Sequence, residues 1–126
     1  MDVQKVDFKD LNAPDKFTTS LHQTGFSVLT NHPVDIDLIK SVYSDWKSFF
    51  NNSKKDEYIF DPLKQDGYFP FKTENAKDSS LKDLKEFFHF YPWGKYPKDL
   101  GNATLTLYNQ LLKLTSILLG WIQNQT

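Results

Sequence analysis

From Leu105 to Ile122 the chain carries apolar side chains at helical spacing on more than one side of the cylinder. Leu105, Tyr108, Leu111, Leu112, Thr115, Leu118, Leu119 and Ile122 make one face, and Leu107, Leu114, Ile117 and Trp121 extend it far around. A surface helix has a single apolar stripe, so a helix apolar over most of its circumference must be covered on several sides. Asn109, Gln110 and Lys113 interrupt the segment, which therefore reads as a buried helix and not as a membrane span. Asn102 stands at the cap position, and the helix is expected over 103–122. Two sources of cover are open. One is packing from both sides by the chain's own helices and sheet; the other is a second body, either another chain or more of the same protein. Where that cover is missing, self-association through Leu107, Leu114, Ile117 and Trp121 is expected.

Length and charge narrow the remaining classes. The 126 residues amount to one domain, 1–126, against a usual size of about 100–200 residues. A chain of that length buries roughly two-thirds of its unfolded surface, enough for a modest core. The net charge of −1 provides no electrostatic footprint for nucleic acid or an anionic membrane. Every basic residue is lysine, so no guanidinium fork is present to grip a carboxylate or phosphate bidentately. Without cysteine there is no disulfide frame, zinc–thiolate site or thiol nucleophile. The opening Met1-Asp2-Val3-Gln4-Lys5 has no apolar signal core. A soluble cytoplasmic protein is the expectation.

Taken in order, the chain reads as α+β, with three main helices near 13–24, 36–50 and 103–122 and short strands near 4–8, 26–30 and 86–91. In the first helix Phe17 and Leu21 form the stripe, Asn12 is placed to cap with its side-chain oxygen, Pro14 sits in the first turn, and Gly25 follows the last. Asp35 caps the second, whose buried face is Leu38, Ile39, Val42, Trp46, Phe49 and Phe50. Ser53 with Asp56 resembles a capping pair for one more short turn.

Much of the aromatic excess lies in Gln65–Pro97. An Asp66-Gly67 turn leads into Tyr68-Phe69-Pro70-Phe71, a polar loop spans Lys72 to Ser80, and the compact run Phe87-Phe88-His89-Phe90-Tyr91 ends at Pro92. Five residues rich in β-formers make a strand rather than a helix. Alternation along a strand then puts Glu86, Phe88 and Phe90 on one face and Phe87, His89 and Tyr91 on the other.

Three pieces of this stretch, Gly67-Tyr68-Phe69-Pro70-Phe71, Glu74-Asn75-Ala76-Lys77 and Asp83-Leu84-Lys85-Glu86-Phe87-Phe88-His89, occur in order at close spacing. With Thr24-Gly25-Phe26 and the following Asn31-His32, they resemble the N-terminal region of the isopenicillin N synthase-like 2-oxoglutarate/Fe(II) oxygenases, over about Val6 to Trp121. The resemblance implies a non-haem dioxygenase N-terminal domain whose short strands join the major sheet of a double-stranded β-helix, or jelly roll, that this chain lacks. Strand edges would then be open or badly paired. It also implies Fe(II) and 2-oxoglutarate as cofactors of the intact enzyme, a missing C-terminal catalytic domain as partner, and a small-molecule substrate. Tyr68, Glu86, Phe88 and Phe90 would belong to the wall of the substrate pocket.

The iron ligands of that family are H-x-D and a later His, and an arginine anchors 2-oxoglutarate. Here His22, His32 and His89 all lack Asp or Glu two residues on, and arginine is absent. The chain alone is therefore expected to bind neither group and to be inactive. A surface or half-buried His22, a hydrogen-bonded His32 in its turn and a packed His89 on the aromatic strand are the simpler readings of the three. Asp83 and Glu86 are interleaved with Lys82 and Lys85 and read as a solvated approach to the strand. No G-x-S-x-G, Walker or G-x-G-x-x-G pattern occurs. Two functions remain: the N-terminal part of such an oxygenase, scaffolding its catalytic domain, or a stand-alone, non-catalytic binding or interaction module derived from it.

Overall fold

The computed structural model describes residues 2–71 and 84–126. The motif Glu74–Lys77, the loop Lys72–Ser80 and the residues Lys82 and Asp83 lie outside the described residues. The chain forms two compact units, Met1–Ile39 with Thr104–Thr126, and Lys40–Ala103.

In the first unit β1 (Lys5–Asp7) and β2 (Val28–Thr30) pair in parallel, with Val6 opposite Leu29. Parallel strands need a long crossover, supplied here by α1 (Ala13–Thr24). The core is Val6, Ala13 and Phe17, against which Leu21, Leu29, Leu118, Trp121 and Ile122 pack. Trp121 stacks on Phe8 at 5.2 Å and meets Phe17 edge-on at 5.8 Å, distances suited to paired aromatic quadrupoles. The fully buried Ser20 accepts from the Gln4 N–H and donates to the Phe26 carbonyl, tying α1 to the segments before and after it.

Two expected caps are realised differently. Asn12 makes no side-chain cap: its backbone has already turned to φ −92°, ψ 9°, and the extended geometry that aims a capping oxygen inward is lost. The Asp10 carboxylate instead accepts from the Asn12 N–H at 2.8 Å. At the far end Gly25, at φ 80°, closes α1 through its N–H on the Leu21 carbonyl. α2 (Ile36–Phe50) is capped as expected by Asp35, whose Oδ1 accepts from the Asp37 and Leu38 N–H groups. The six-residue 3₁₀ helix Ser53–Tyr58 is capped by Asn52, not Ser53; Asn52 is extended, so its oxygen reaches the Lys54 N–H at 2.9 Å.

The third helix, α3, spans Ala103–Gln125, beyond the expected end. Burial differs among the four residues of the proposed association face. Leu114 is buried, Leu107 and Trp121 are half-buried, and Ile117 is the one open member of that set. Trp121 is taken up by the core of its own unit. The apolar side chains open to solvent on α3 are Leu105, Leu111, Leu112, Ile117 and Leu119.

In the second unit β3 (Gly67–Phe69) and β4 (Phe87–His89) pair antiparallel, with Tyr68 opposite Phe88. The sequence patterning had marked Gly67–Phe69 as an aromatic run rather than as a strand. All four described strands find one partner inside the chain, and the described sheets stop at two strands each, so the expected open edges are present while the pairs themselves are in register. No jelly-roll sheet forms among the described residues, and the class is α+β. Gly67 is required where it stands: at φ 111°, a Cβ would lie 2.7 Å from the Tyr58 carbonyl oxygen.

Candidate substrate-facing site

The two faces of β4 carry different chemistry. On one, Phe87 stacks on Phe69 at 4.6 Å, Phe69 stacks on Phe60 at 4.0 Å, and His89 lies against Phe69. On the other, Phe88 meets Trp46 at 4.8 Å and Phe49 at 5.5 Å, side chains projected from successive turns of α2. Glu86, just before the strand, lies on the Phe88 side and reaches Tyr68 on β3. Phe90 packs edge-on against Tyr96 at 5.8 Å. Trp46, Phe50, Glu86, Phe87, Phe88 and Phe90 line an open recess of about 310 Å³.

The polar centre of this site is a three-residue cluster. The Tyr68 hydroxyl donates to Glu86 Oε2 at 2.6 Å, and Lys55 Nζ donates to the same oxygen at 3.0 Å. Lys55 also donates to the Phe50 carbonyl at 2.9 Å and lies over the Tyr68 ring. Burial pushes the Glu86 carboxyl up, but the hydrogen bonds from Tyr68 and Lys55 outweigh it and hold the group below the ordinary range. Lys55 is held above its ordinary value, first by its hydrogen bond to Glu86. Burial, then the bond to Glu86, raises Tyr68. The cluster is thus a neutral hydroxyl, an ammonium and a carboxylate through the neutral pH range.

Sequence reasoning named Tyr68, Glu86, Phe88 and Phe90 and missed Lys55, Trp46 and Phe50. The aromatic pair was legible as the buried stripe of α2. Lys55 gives no local signal, because it sits in a polar run 31 residues before its carboxylate. A smaller recess of about 160 Å³, lined by residues including Phe49, Tyr58 and Pro97, has only the exposed Lys54–Asp99 pair at its rim.

The histidines occupy three separate settings. His22 is exposed, His32 accepts the Val34 N–H at Nδ1, and His89 Nδ1 lies 3.0 Å from the Gln65 carbonyl. A carbonyl only accepts, so His89 carries its proton on Nδ1. Among the described residues no three His, Asp or Glu side chains gather as metal ligands, and the donors present do not fit ferrous iron. No helix among the described residues is long and apolar enough to cross a membrane.

The described residues thus form an α+β fold with an aromatic wall and a clamped carboxylate. Residues 4–112 match the profile of the family described as non-haem dioxygenase in morphine synthesis N-terminal, and the chain belongs to that family. Among solved structures it resembles a "Putative oxygenase" from Shewanella oneidensis, with 37% identity and a TM-score of 0.88. That likeness covers 100% of this chain and 44% of the Shewanella one. A "putative 2OG-Fe(II) oxygenase family protein" from Caulobacter crescentus shares the fold, at 24% identity and a TM-score of 0.75, over 97% of this chain and 48% of that one. The chain thus spans less than half the length of either structure. No curated protein matches it significantly.

Proposed function

We propose that this chain is the N-terminal part of a cytoplasmic 2-oxoglutarate/Fe(II)-dependent oxygenase of the isopenicillin N synthase-like kind, acting on a small molecule. In this reading it scaffolds the catalytic domain and contributes Tyr68, Glu86, Phe88 and Phe90 to the substrate pocket. The observation that carries it is the family match over residues 4–112. The likeness to the Shewanella protein supports it, because the segment missing here exceeds half of that protein and leaves room for a complete iron and 2-oxoglutarate site. In this reading both groups are held by that remaining part, and the donors among the described residues of this chain do not fit ferrous iron.

A chimera tests the reading. This chain replaces the matching segment of the Shewanella protein, and 2-oxoglutarate-dependent succinate formation is measured with Fe(II), under conditions where the parent shows it. A folded chimera that turns over 2-oxoglutarate supports the assignment. A folded, iron-loaded chimera that produces no succinate overturns it.

A further inference from the structure

We propose that the recess bounded by Trp46, Phe50, Phe88 and Phe90 admits a flat, uncharged ring bearing one hydrogen-bond donor, with Glu86 Oε1 as its acceptor and Lys55 as the residue that positions Glu86. The inference rests on the reading of this wall as substrate-facing and adds the chemical class of the ligand.

The argument starts from the two oxygens of Glu86. Oε2 takes both available donors, the Tyr68 hydroxyl and Lys55 Nζ. No described residue donates to Oε1, although a carboxylate offers lone pairs on both oxygens. Glu86 lines the recess, and its side chain is only 16% exposed. Lys55 is no swinging arm, because the Phe50 carbonyl holds its ammonium as well. The site therefore presents one fixed acceptor among aromatic faces.

Charge then sorts the ligands. Lys55 compensates Glu86, and Lys85 lies over the ring of Phe87, which also lines the recess, so no uncompensated negative charge calls for a cation. A second ammonium would meet the field of Lys55, whereas a carboxylate would face Glu86 with acceptors on both sides and no donor between them. A phenolic O–H or an indolic N–H satisfies Oε1 without either conflict. The ring stacks on Trp46, Phe50, Phe88 or Phe90, and a volume near the lower end of ligand pockets suits one ring system.

The experiment uses the full 126-residue chain, labelled with ¹⁵N. Phenol, benzoate and benzylammonium are titrated at pH 7, following the Trp46 indole signal and the Glu86 and Phe88 amides. Phenol should give saturable shifts, with benzoate and benzylammonium each about ten-fold weaker, the size expected when a buried polar contact is lost. Lys55→Met should move preference toward benzylammonium, while a purely structural role for Lys55 would weaken all three ligands alike. Equal or tighter binding of benzoate or benzylammonium overturns the proposal, and so does the absence of shifts with all three. The comparison on the unaltered chain decides the question even if a variant fails to fold. The readout needs no turnover: phenol binding alongside an inactive chimera would defeat the oxygenase assignment alone, and an active chimera without phenol binding would defeat the ligand class alone.

Discussion

Tyr68 and Glu86 are joined across the β3–β4 pair by a 2.6 Å hydrogen bond, although Glu86 precedes the strand and lies diagonal to Tyr68, whose direct partner is Phe88. The bond fastens the entry of β4 to β3 at the side where aromatic rings from α2 cover the sheet. Tyr68→Phe keeps the ring and removes one donor from a carboxylate that still holds Lys55. We expect a loss of about 1.5–3 kcal/mol, read by urea denaturation, the range for a hydrogen bond to a charged group. No measurable loss would mean that water replaces the hydroxyl at no cost.

The same cluster sets a pH dependence on both flanks. Glu86 is depressed in the folded chain, so its contribution is present above the unfolded value and is lost as pH falls through the folded one, on the acid side of the ordinary carboxylate range. Lys55 and Tyr68 are raised, so their contributions are present below their unfolded values and are lost as pH rises through the folded ones, on the alkaline side of their ordinary values. Glu86→Gln should therefore be less stable than the parent at pH 7, with the gap narrowing on acidification. Urea midpoints of the two proteins across pH 2.5 to 7 check this; a gap that stays constant removes Glu86 from the acid limb.

The glycines separate strain from space. Gly67→Ala combines a positive φ with a 2.7 Å approach to the Tyr58 carbonyl and 3.0 Å to the Phe60 Cα. It should cost at least ~2 kcal/mol, since backbone strain alone is of order 1–3. A Cβ at Gly120, inside α3, meets nothing within 4 Å. Gly120→Ala should instead stabilise by about 0.5–1 kcal/mol through helix propensity. Thermal unfolding of the pair shifting in opposite directions is the expected result.

The two sides of α3 predict opposite responses to charge. Leu114→Lys places an ammonium at a buried position and should unfold the chain or cost several kcal/mol (about the 2–5 of a core leucine truncation, or more). Leu119→Lys, at a position 60% exposed, should leave stability within about 0.5 kcal/mol and reduce any self-association. Sedimentation velocity across a concentration series reads the second effect. If Leu119→Lys leaves association unchanged, the open leucines are not its source.

The helices were legible because their signal is local and repetitive. Ala13–Thr24 and Ile36–Phe50 follow from apolar spacing and from Gly25 and Asp35 at their ends. For α3 the same signal was ambiguous: with apolar residues nearly all round, spacing alone did not say that Leu114 points inward while Leu111 and Leu112 face solvent. At Asn12 residue preference was misleading, because the cap depends on a backbone angle that residue type alone does not fix. Of the candidate site, the alternation of Glu86 and Phe88 against Phe87 and His89 was readable from a period of two. Lys55 was not, since its meeting with Glu86 is a product of tertiary folding.

The first unit is assembled from the two ends of the chain. Val6 and Phe17 leave the ribosome early, while Leu118, Trp121 and Ile122, which complete their core, follow only much later. At bacterial to eukaryotic synthesis rates roughly a hundred intervening residues take about 5–20 s. For that interval the nascent β1–α1–β2 segment has an apolar face without its final cover, whereas all of Lys40–Ala103 has already been made. The order of synthesis thus favours completion of the aromatic unit first, and leaves the N-terminal segment waiting for its cover.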